Sequence, residues 1–437
     1  MNIHERRPVV PTRYGQVRGV RTERGGTAFR GIPYAASPVG EARLAPPRPH
    51  PGWDGVRDAA RPGPAVPQGP SRLEAVMGAR TPDWDEDGCL TVNIWTPPGG
   101  SAARPVLLWF HGGGFTSGCG GWDWYDGQRL AELGGIVVVT ANYRLGPLGY
   151  LYLPEVGAVN LGCRDQAAVL RWVGDNIAAF GGDPRQVTVG GQSAGAFSAL
   201  ALAVDPATGG LVHRVLAQSG PWGIEPQDPA DAAATATAYL RVLGLDRETE
   251  AGRALRAQPI EDLLAAYART AAEHAPAGGI APPMLPVLGG PGIPRGLRRA
   301  VADGALAGKA ILLGSTDDEM TAFAAHRAAD READLMFHDG VDEIAGHCAA
   351  SGTPAHVYRF TRRPYPDPGG LSATHCADLP FAFGNLDAYP EAPMLGPVTT
   401  ADRALARAFG GALAAFAATG TPEGEGLTPW RTPVMHF

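Results

Sequence analysis

Three short apolar runs, Pro105–Phe110, Ile136–Asn142 and Gln186–Gly190, are each bounded by Gly, Pro or a charged residue. Runs of this length with no polar alternation read as strands buried on both faces, and such strands belong to parallel sheets with helices packed over each side. Between the second and third runs, Gly162–Phe180 carries Val169, Trp172, Val173 and Ile177 at helical spacing. Strand and helix therefore alternate, which selects an α/β fold. Further strands are expected at Arg214–Gln218, Ala310–Gly314 and His356–Phe360, and the Ala-rich stretch Asp228–His274 is expected to be mostly helical. From Thr12 to Tyr34, two extended segments flank the turn signal Arg24-Gly25-Gly26, which predicts an N-terminal β-hairpin. Gly52–Thr81, rich in Pro, Gly and Ala, reads as ordered loop. No repeat and no linker divides the chain, so residues 1–437 are expected to form one domain.

Composition removes several function classes. With 37 basic against 44 acidic residues, the net charge is −7, and no arginine cluster approaches a basic face, so nucleic acid is not an expected partner. The five cysteines are widely spaced with no C-x-x-C pair, which argues against a disulfide framework and a zinc site. The start, Met1-Asn2-Ile3-His4-Glu5-Arg6-Arg7-Pro8, has no apolar h-region, and no run of 18 apolar residues occurs. The expectation is a cytoplasmic protein with no membrane span.

Gly191-Gln192-Ser193-Ala194-Gly195 fits G-x-S-x-G. The pattern is short, but Gln186-Val187-Thr188-Val189 precedes it as a strand and Ala194–Val204 follows it as an Ala/Leu helix, the context a nucleophile elbow needs. The glycines allow a sharp turn that lifts the Ser193 hydroxyl above the sheet. A serine capping a helix after a Gly-rich turn is the alternative. His111-Gly112-Gly113-Gly114-Phe115 follows directly on the strand Pro105–Phe110. A glycine run there lets backbone N–H groups approach a tetrahedral oxyanion, with the N–H after the nucleophile, that of Ala194, as the other donor. A structural turn and a phosphate loop are the other readings; the second lacks a Walker lysine or a G-x-G-x-x-G.

With these segments, the chain resembles the type-B carboxylesterases, the α/β-hydrolases that include cholinesterases and bacterial p-nitrobenzyl esterases. The likeness runs through Phe29-Arg30-Gly31-Ile32-Pro33-Tyr34-Ala35, Glu86-Asp87-Gly88-Cys89-Leu90-Thr91-Val92-Asn93 and His111–Phe115. It continues through Asn142-Tyr143-Arg144-Leu145-Gly146, Asp165-Gln166 and Phe180-Gly181-Gly182-Asp183-Pro184 to the elbow at Ser193. After Ser219-Gly220 it thins, returning at Gly314–Glu319 and His375–Gly384. The resemblance implies an α/β-hydrolase fold, a mostly parallel central sheet flanked by helices. Two departures stand out: Cys89 has no upstream cysteine, so the disulfide common in the family cannot form, and the helical segment between residues 320 and 355 is shortened.

A neutral hydroxyl is a poor nucleophile, so Ser193 needs a histidine base oriented by an acid, and the fold order is Ser, acid, His. The histidines beyond Ser193 are at 213, 274, 326, 338, 347, 356, 375 and 436. His375 lies in a loop after the strand His356–Phe360, the position expected of the base. In the resembling family this stretch reads G-A-x-H, then a carboxylate and F-x-F-G; here it is Ser372-Ala373-Thr374-His375, Asp378 and Phe381-Ala382-Phe383-Gly384. Asp317, Asp318 and Glu319 all follow the strand Ala310–Gly314, and composition does not separate them. The family pattern, with its glutamate last in G-x-x-x-D-E-G, selects Glu319, although Met320 replaces the final glycine.

The expectation is a serine hydrolase of carboxylic esters using Ser193, His375 and Glu319, an oxyanion hole from the N–H groups of Gly113, Gly114 and Ala194, and no metal or organic cofactor. A small-molecule ester is the expected partner, and the oligomeric state is open. An acyltransferase with the same triad and a non-catalytic binding protein on the same fold are the alternatives. Trp222 and Phe381 are candidates to line the substrate pocket, with core packing as the other reading. The short connection from Glu319 to His375 predicts an open cleft, unless Asp228–His274 folds over the gap.

Overall fold

The apolar runs of the sequence become the middle of a ten-stranded sheet in the computed structural model, which describes residues 7–99, 103–245, 251–274, 280–323, 334–430 and 433–437. In chain order the strands are β1 Val9–Thr12, β2 Gly15–Arg18, β3 Val20–Arg21, β4 Thr27–Pro33, β5 Val56–Asp58, β6 Thr91–Thr96 and β7 Arg104–Phe110. They continue with β8 Val137–Ala141, β9 Gly182–Gln192, β10 Arg214–Gln218, β11 Ala310–Thr316, β12 His356–Phe360 and β13 Val434–His436. The large sheet runs β13-β12-β11-β10-β9-β7-β8-β6-β4-β3, parallel from β13 to β8 and antiparallel from there to β3. This is the expected mostly parallel α/β-hydrolase sheet. The expected hairpin is β3–β4 around Thr22–Gly26, and a second hairpin, β1–β2, precedes it in a small sheet with β5.

Both faces of the sheet are dry. Along β7, Val106, Leu108 and Phe110 enter one core while Leu107 and Trp109 enter the other, as the two-residue period of a strand requires. The first core is covered by helices Leu161–Asn176, Ala194–Val204 and Pro229–Val242, the second by Gln128–Gly134 and Thr400–Thr419. Each such side chain, fully buried, contributes about 1.5–3 kcal/mol.

Several elements depart from the expectations. β6, Thr91-Val92-Asn93-Ile94-Trp95-Thr96, alternates like a half-exposed strand but is buried between β4 and β8. Asn93 tolerates this burial by accepting from Gly31 N at 3.0 Å and donating to Gly120 O and Thr140 Oγ1, each at 3.1 Å. Gly52–Thr81 carries β5 and a helical turn, Glu74–Met77, besides loop. Phe337–Gly340 forms the entry into helix Asp339–Ala350. Gly340 is there for packing: a methyl group on it would lie 2.2 Å from Trp222 Cβ. Of the shortened segment between residues 320 and 355, a short 3₁₀ turn at Glu319–Ala322 is described and residues 324–333 lie outside the described residues. All five cysteines are free and buried. No helix among the described residues is long and apolar enough to cross a membrane.

Motif residues that carry no chemistry pin the loops at the carboxyl ends of the strands. Arg144 and Asp165 form a buried two-pronged ion pair, Nε–Oδ2 and Nη2–Oδ1 both at 2.7 Å, and Arg144 Nη1 donates to Ala45 O. Arg43 grips Glu86 in the same way at 2.6 Å and donates onward to the carbonyls of Arg256 and Gln258. Removing one partner of such a pair strands a buried charge, at a cost of about 3–5 kcal/mol.

Candidate active site

Four loops meet beyond the carboxyl ends of β7, β9, β11 and β12, where open α/β sheets place their ligands. Ser193 follows β9 directly and caps helix Ala194–Val204 with φ 57° and ψ −124°. A non-glycine residue held there costs on the order of 1–3 kcal/mol. The turn is possible because its flanks are glycines: a methyl group on Gly195 would lie 2.0 Å from Phe110 O, and one on Gly191 would lie 2.4 Å from the Gly195 backbone. Ser193 N–H donates to Gln218 O at 2.8 Å, tying the elbow to β10.

The loop after β7 is braced from behind. His111 is buried, stacks on Tyr143 with ring centroids 4.5 Å apart, and has Nδ1 2.8 Å from Gly112 O. Burial pushes its pKa down to about 4, so it stays neutral. The Tyr143 hydroxyl donates to His111 O at 2.8 Å. Gly113 and Gly114 then turn into the cavity beside Ala194, and none of the three amides has an acceptor among the described residues.

Glu319 and His375 meet although 56 positions separate them. His375 Nδ1 bonds Glu319 Oε2, and both side chains are buried. Glu319 Oε1 accepts from Thr316 N at 2.8 Å. Burial works against the Glu319 carboxylate, but the facing His375 charge and N–H outweigh it and the net shift is down. Burial likewise opposes the charged form of His375, yet the Cys376 sulfur and the Glu319 carboxylate overcome it and the net shift is up. Asp318 holds the two loops together: its N–H donates to Ala373 O at 2.9 Å and its Oδ2 accepts from Ala373 N at 3.1 Å. It also pairs with Arg363 at 3.3 Å.

Three further contacts had no signal in the sequence reading. Gln192, the variable residue of the elbow, donates from Nε2 to His375 Nε2 at 3.0 Å and to Cys376 Sγ at 3.3 Å. Phe323 and Phe337 lie over the His375 ring, with centroids 5.7 and 5.1 Å away. Asp378 is buried behind the histidine and accepts from Tyr358 Oη at 2.7 Å and Gln218 Nε2 at 2.8 Å. Burial raises its pKa to about 6. Asp378 was visible as the carboxylate after His375, but its partners lie on other strands.

The cavity lined by Ser193, His375, Phe323 and Phe337 also has Pro221, Ile224, Ile280 and Pro282 in its walls and holds about 40 Å³. Ile280, Pro282, Phe323 and Phe337 stand around Ser193, and helix Ile260–His274 walls an adjoining cavity. The structure corrects the two pocket candidates. Trp222 turns inward against Gly220 and Gly340, leaving Pro221 and Ile224 to face the cleft. Phe381 is buried in the second core against Phe360, at 5.1 Å, under the Arg362 guanidinium. Among the described residues no group of three His, Cys, Asp or Glu side chains is placed to hold a metal ion.

The sequence profile described as "Carboxylesterase family" matches residues 6–333 and 327–435. The chain belongs to the carboxylesterase family. This carboxylesterase is 36% identical to a phenmedipham hydrolase of Pseudarthrobacter oxydans, over 98% of the present chain and 93% of the relative. It is also 36% identical to the para-nitrobenzyl esterase of Bacillus subtilis, over 98% and 92% of the two chains. Among solved structures, a thermophilic PNB esterase superposes with a TM-score of 0.86 at 35% identity, covering 97% of this carboxylesterase and 93% of that chain. The protein is thus a carboxylic ester hydrolase.

Proposed function

We propose that this esterase cleaves its substrate through an acyl-enzyme on Ser193, with His375 as base and Glu319 as its orienting acid. One observation carries the reading: His375, buried and paired with Glu319, lines one cavity with a strained serine and three amides that have no acceptor among the described residues. Nδ1–H of His375 faces Glu319, which leaves Nε2 as the lone-pair acceptor. As Ser193 Oγ attacks the ester carbonyl, its proton passes to Nε2, and the oxyanion accepts from the N–H groups of Gly113, Gly114 and Ala194. The intermediate collapses, and the alcohol leaves with the proton from Nε2. Water enters, gives a proton to His375 as it attacks the acyl carbonyl, and the carboxylic acid departs from Ser193, which recovers its proton. The Gln192 amide on Nε2 has to yield when the Ser193 hydroxyl takes that lone pair.

Hydrolysis is favoured over transfer to another acceptor because the matched relatives are named as hydrolases and esterases. Labelling with a fluorophosphonate tests the nucleophile. The expected result is one adduct on the peptide containing Ser193 and loss of activity in proportion; an adduct elsewhere overturns the assignment.

A further inference from the structure

Arg72 stands between two cavities. It lines the cleft at Ser193 and also an adjoining cavity of about 380 Å³, walled by Pro67, Pro147, Leu264, Tyr267 and Ala268. Its Nη1 donates to Ile280 O at 2.7 Å. Its Nη2 lies against the oxyanion loop: a methyl group on Gly114 would be 2.5 Å from it. Arg43, Arg144 and Arg362, three arginines packed into the fold, each grip a carboxylate. Arg72 has none among the described residues, and only its Nη1 has an acceptor among them.

A second group points to the same place. The Tyr267 hydroxyl is buried, has no hydrogen-bond partner among the described residues, and lies within electrostatic range of Arg72. Atoms crowded around the guanidinium push its pKa down by desolvation, yet an arginine stays cationic at any working pH. A planar fork of donors with a nearby phenol O–H is suited to a carboxylate, which accepts two parallel N–H bonds and has lone pairs to spare. A phosphate dianion fits less well, because Arg72 would be its sole counter-charge in otherwise apolar walls.

We propose that Arg72, assisted by the Tyr267 hydroxyl, is a specificity-determining anion receptor, and that the preferred substrates are esters bearing a free carboxylate close to the scissile bond. The apolar remainder of the substrate occupies the adjoining cavity. The proposal rests on Ser193 being the nucleophile, since Arg72 matters through its place beside the oxyanion loop.

Two pairs of esters test it. The first, 4-nitrophenyl hydrogen glutarate and its methyl ester, puts the carboxylate on the acyl side; the second, 2-(octanoyloxy)benzoate and its methyl ester, puts it on the leaving group. In at least one pair the acid is expected to exceed the neutral ester by about 10–100-fold in kcat/KM, the scale of a charge-assisted hydrogen bond. Arg72→Met should bring that ratio to within a few-fold of one, and Arg72→Lys should retain part of it. Tyr267→Phe, which keeps the ring, should lower it several-fold. No preference for the acid in either pair overturns the proposal, and so does an equal loss on both members in Arg72→Met, which would make Arg72 a structural or oxyanion group. Failure of the underlying reading looks different: Ser193→Ala would then hydrolyse all four esters as the unsubstituted protein does.

Discussion

The nucleophile half of the site and the acid–base half are built on different principles. Ser193 and His111–Gly114 sit at the ends of β9 and β7, which pair in parallel with Phe110 beside Gly191, so both loops inherit their position from one stretch of ladder. Close backbone approaches that only glycine permits, at Gly191 and Gly195, fix their shape. Glu319 and His375 also follow neighbouring strands, Thr316 beside Phe360, but His375 is well beyond the end of β12. Its place depends on tertiary contacts: Asp318 to Ala373, Glu319 to His375, and aromatic cover from Phe323 and Phe337. The nucleophile half is held mainly by backbone, with the Tyr143 hydroxyl on His111 O as a side-chain brace. A half shaped by tertiary contacts can be retuned by them.

The largest effect expected from breaking either half is at the nucleophile. Ser193→Ala should reduce kcat by about 10⁴–10⁶-fold, because triad members act as a unit and the residual rate comes from the oxyanion hole and binding alone. Circular dichroism and Tm should stay near those of the unsubstituted protein. Activity within tenfold of the original would remove the elbow from the chemistry.

Next comes the acid. Glu319→Gln should lower kcat by about 10⁴-fold, since a neutral amide neither fixes the tautomer nor stabilises the imidazolium. Asp318→Asn should cost only a few-fold, because an amide oxygen still accepts from Ala373 N and only the Arg363 pairing is weakened. The opposite ranking would shift the acid by one position.

The same contrast governs what could be read from the sequence. Strands β7, β8, β9, β10, β11 and β12, the elbow and the glycine loop were legible because period, length and glycine placement are local properties. Glu319 was not separable from Asp317 and Asp318 on the residues alone; the family register selected it, and the structure then put its carboxylate on His375. Gln192, Phe323 and Phe337 gave no signal, since what they touch is decided by how distant loops stack. Trp222 and Phe381 were misjudged for the opposite reason: an aromatic residue beside a motif has the same letter whether it faces the cleft or the core. Thr400–Thr419 was readable but passed over; Thr399 and Asp402 form a capping box and Gly420 ends the helix at φ 89°.

A smaller effect, on pH dependence, follows from the charge pairing. The active base is neutral His375, so kcat/KM should rise with pH through its pKa. The Cys376 sulfur and Glu319 raise that pKa, so the midpoint should lie on the alkaline side of the ordinary histidine value of about 6.5. Glu319→Gln removes one of those supports and should move the residual limb to lower pH. Asp378, pushed up by burial to about 6, is the other group near this range. Asp378→Asn should leave a clear limb in place; its disappearance would assign the titration to Asp378 and not to His375.

The smallest expected effect is at the seam between the halves. Gln192 belongs to the nucleophile half by sequence, yet its buried amide donates to His375 Nε2 and so favours the neutral imidazole. Gln192→Glu sets a carboxylate against the same nitrogen, which can only accept. The imidazolium gains a second counter-charge, and the limb of kcat/KM should move to higher pH by about one unit, with the plateau rate changed little. Gln192→Leu is the converse: it removes the donor to the neutral ring but adds no charge, so no comparable alkaline shift should occur. Measuring the pH profiles of both variants with one neutral ester separates charge from packing. An alkaline shift in the glutamate variant alone means that the elbow's variable residue tunes the base. Equal profiles in the two variants would mean that the Gln192 amide only fills space, and that the two halves meet without influencing each other.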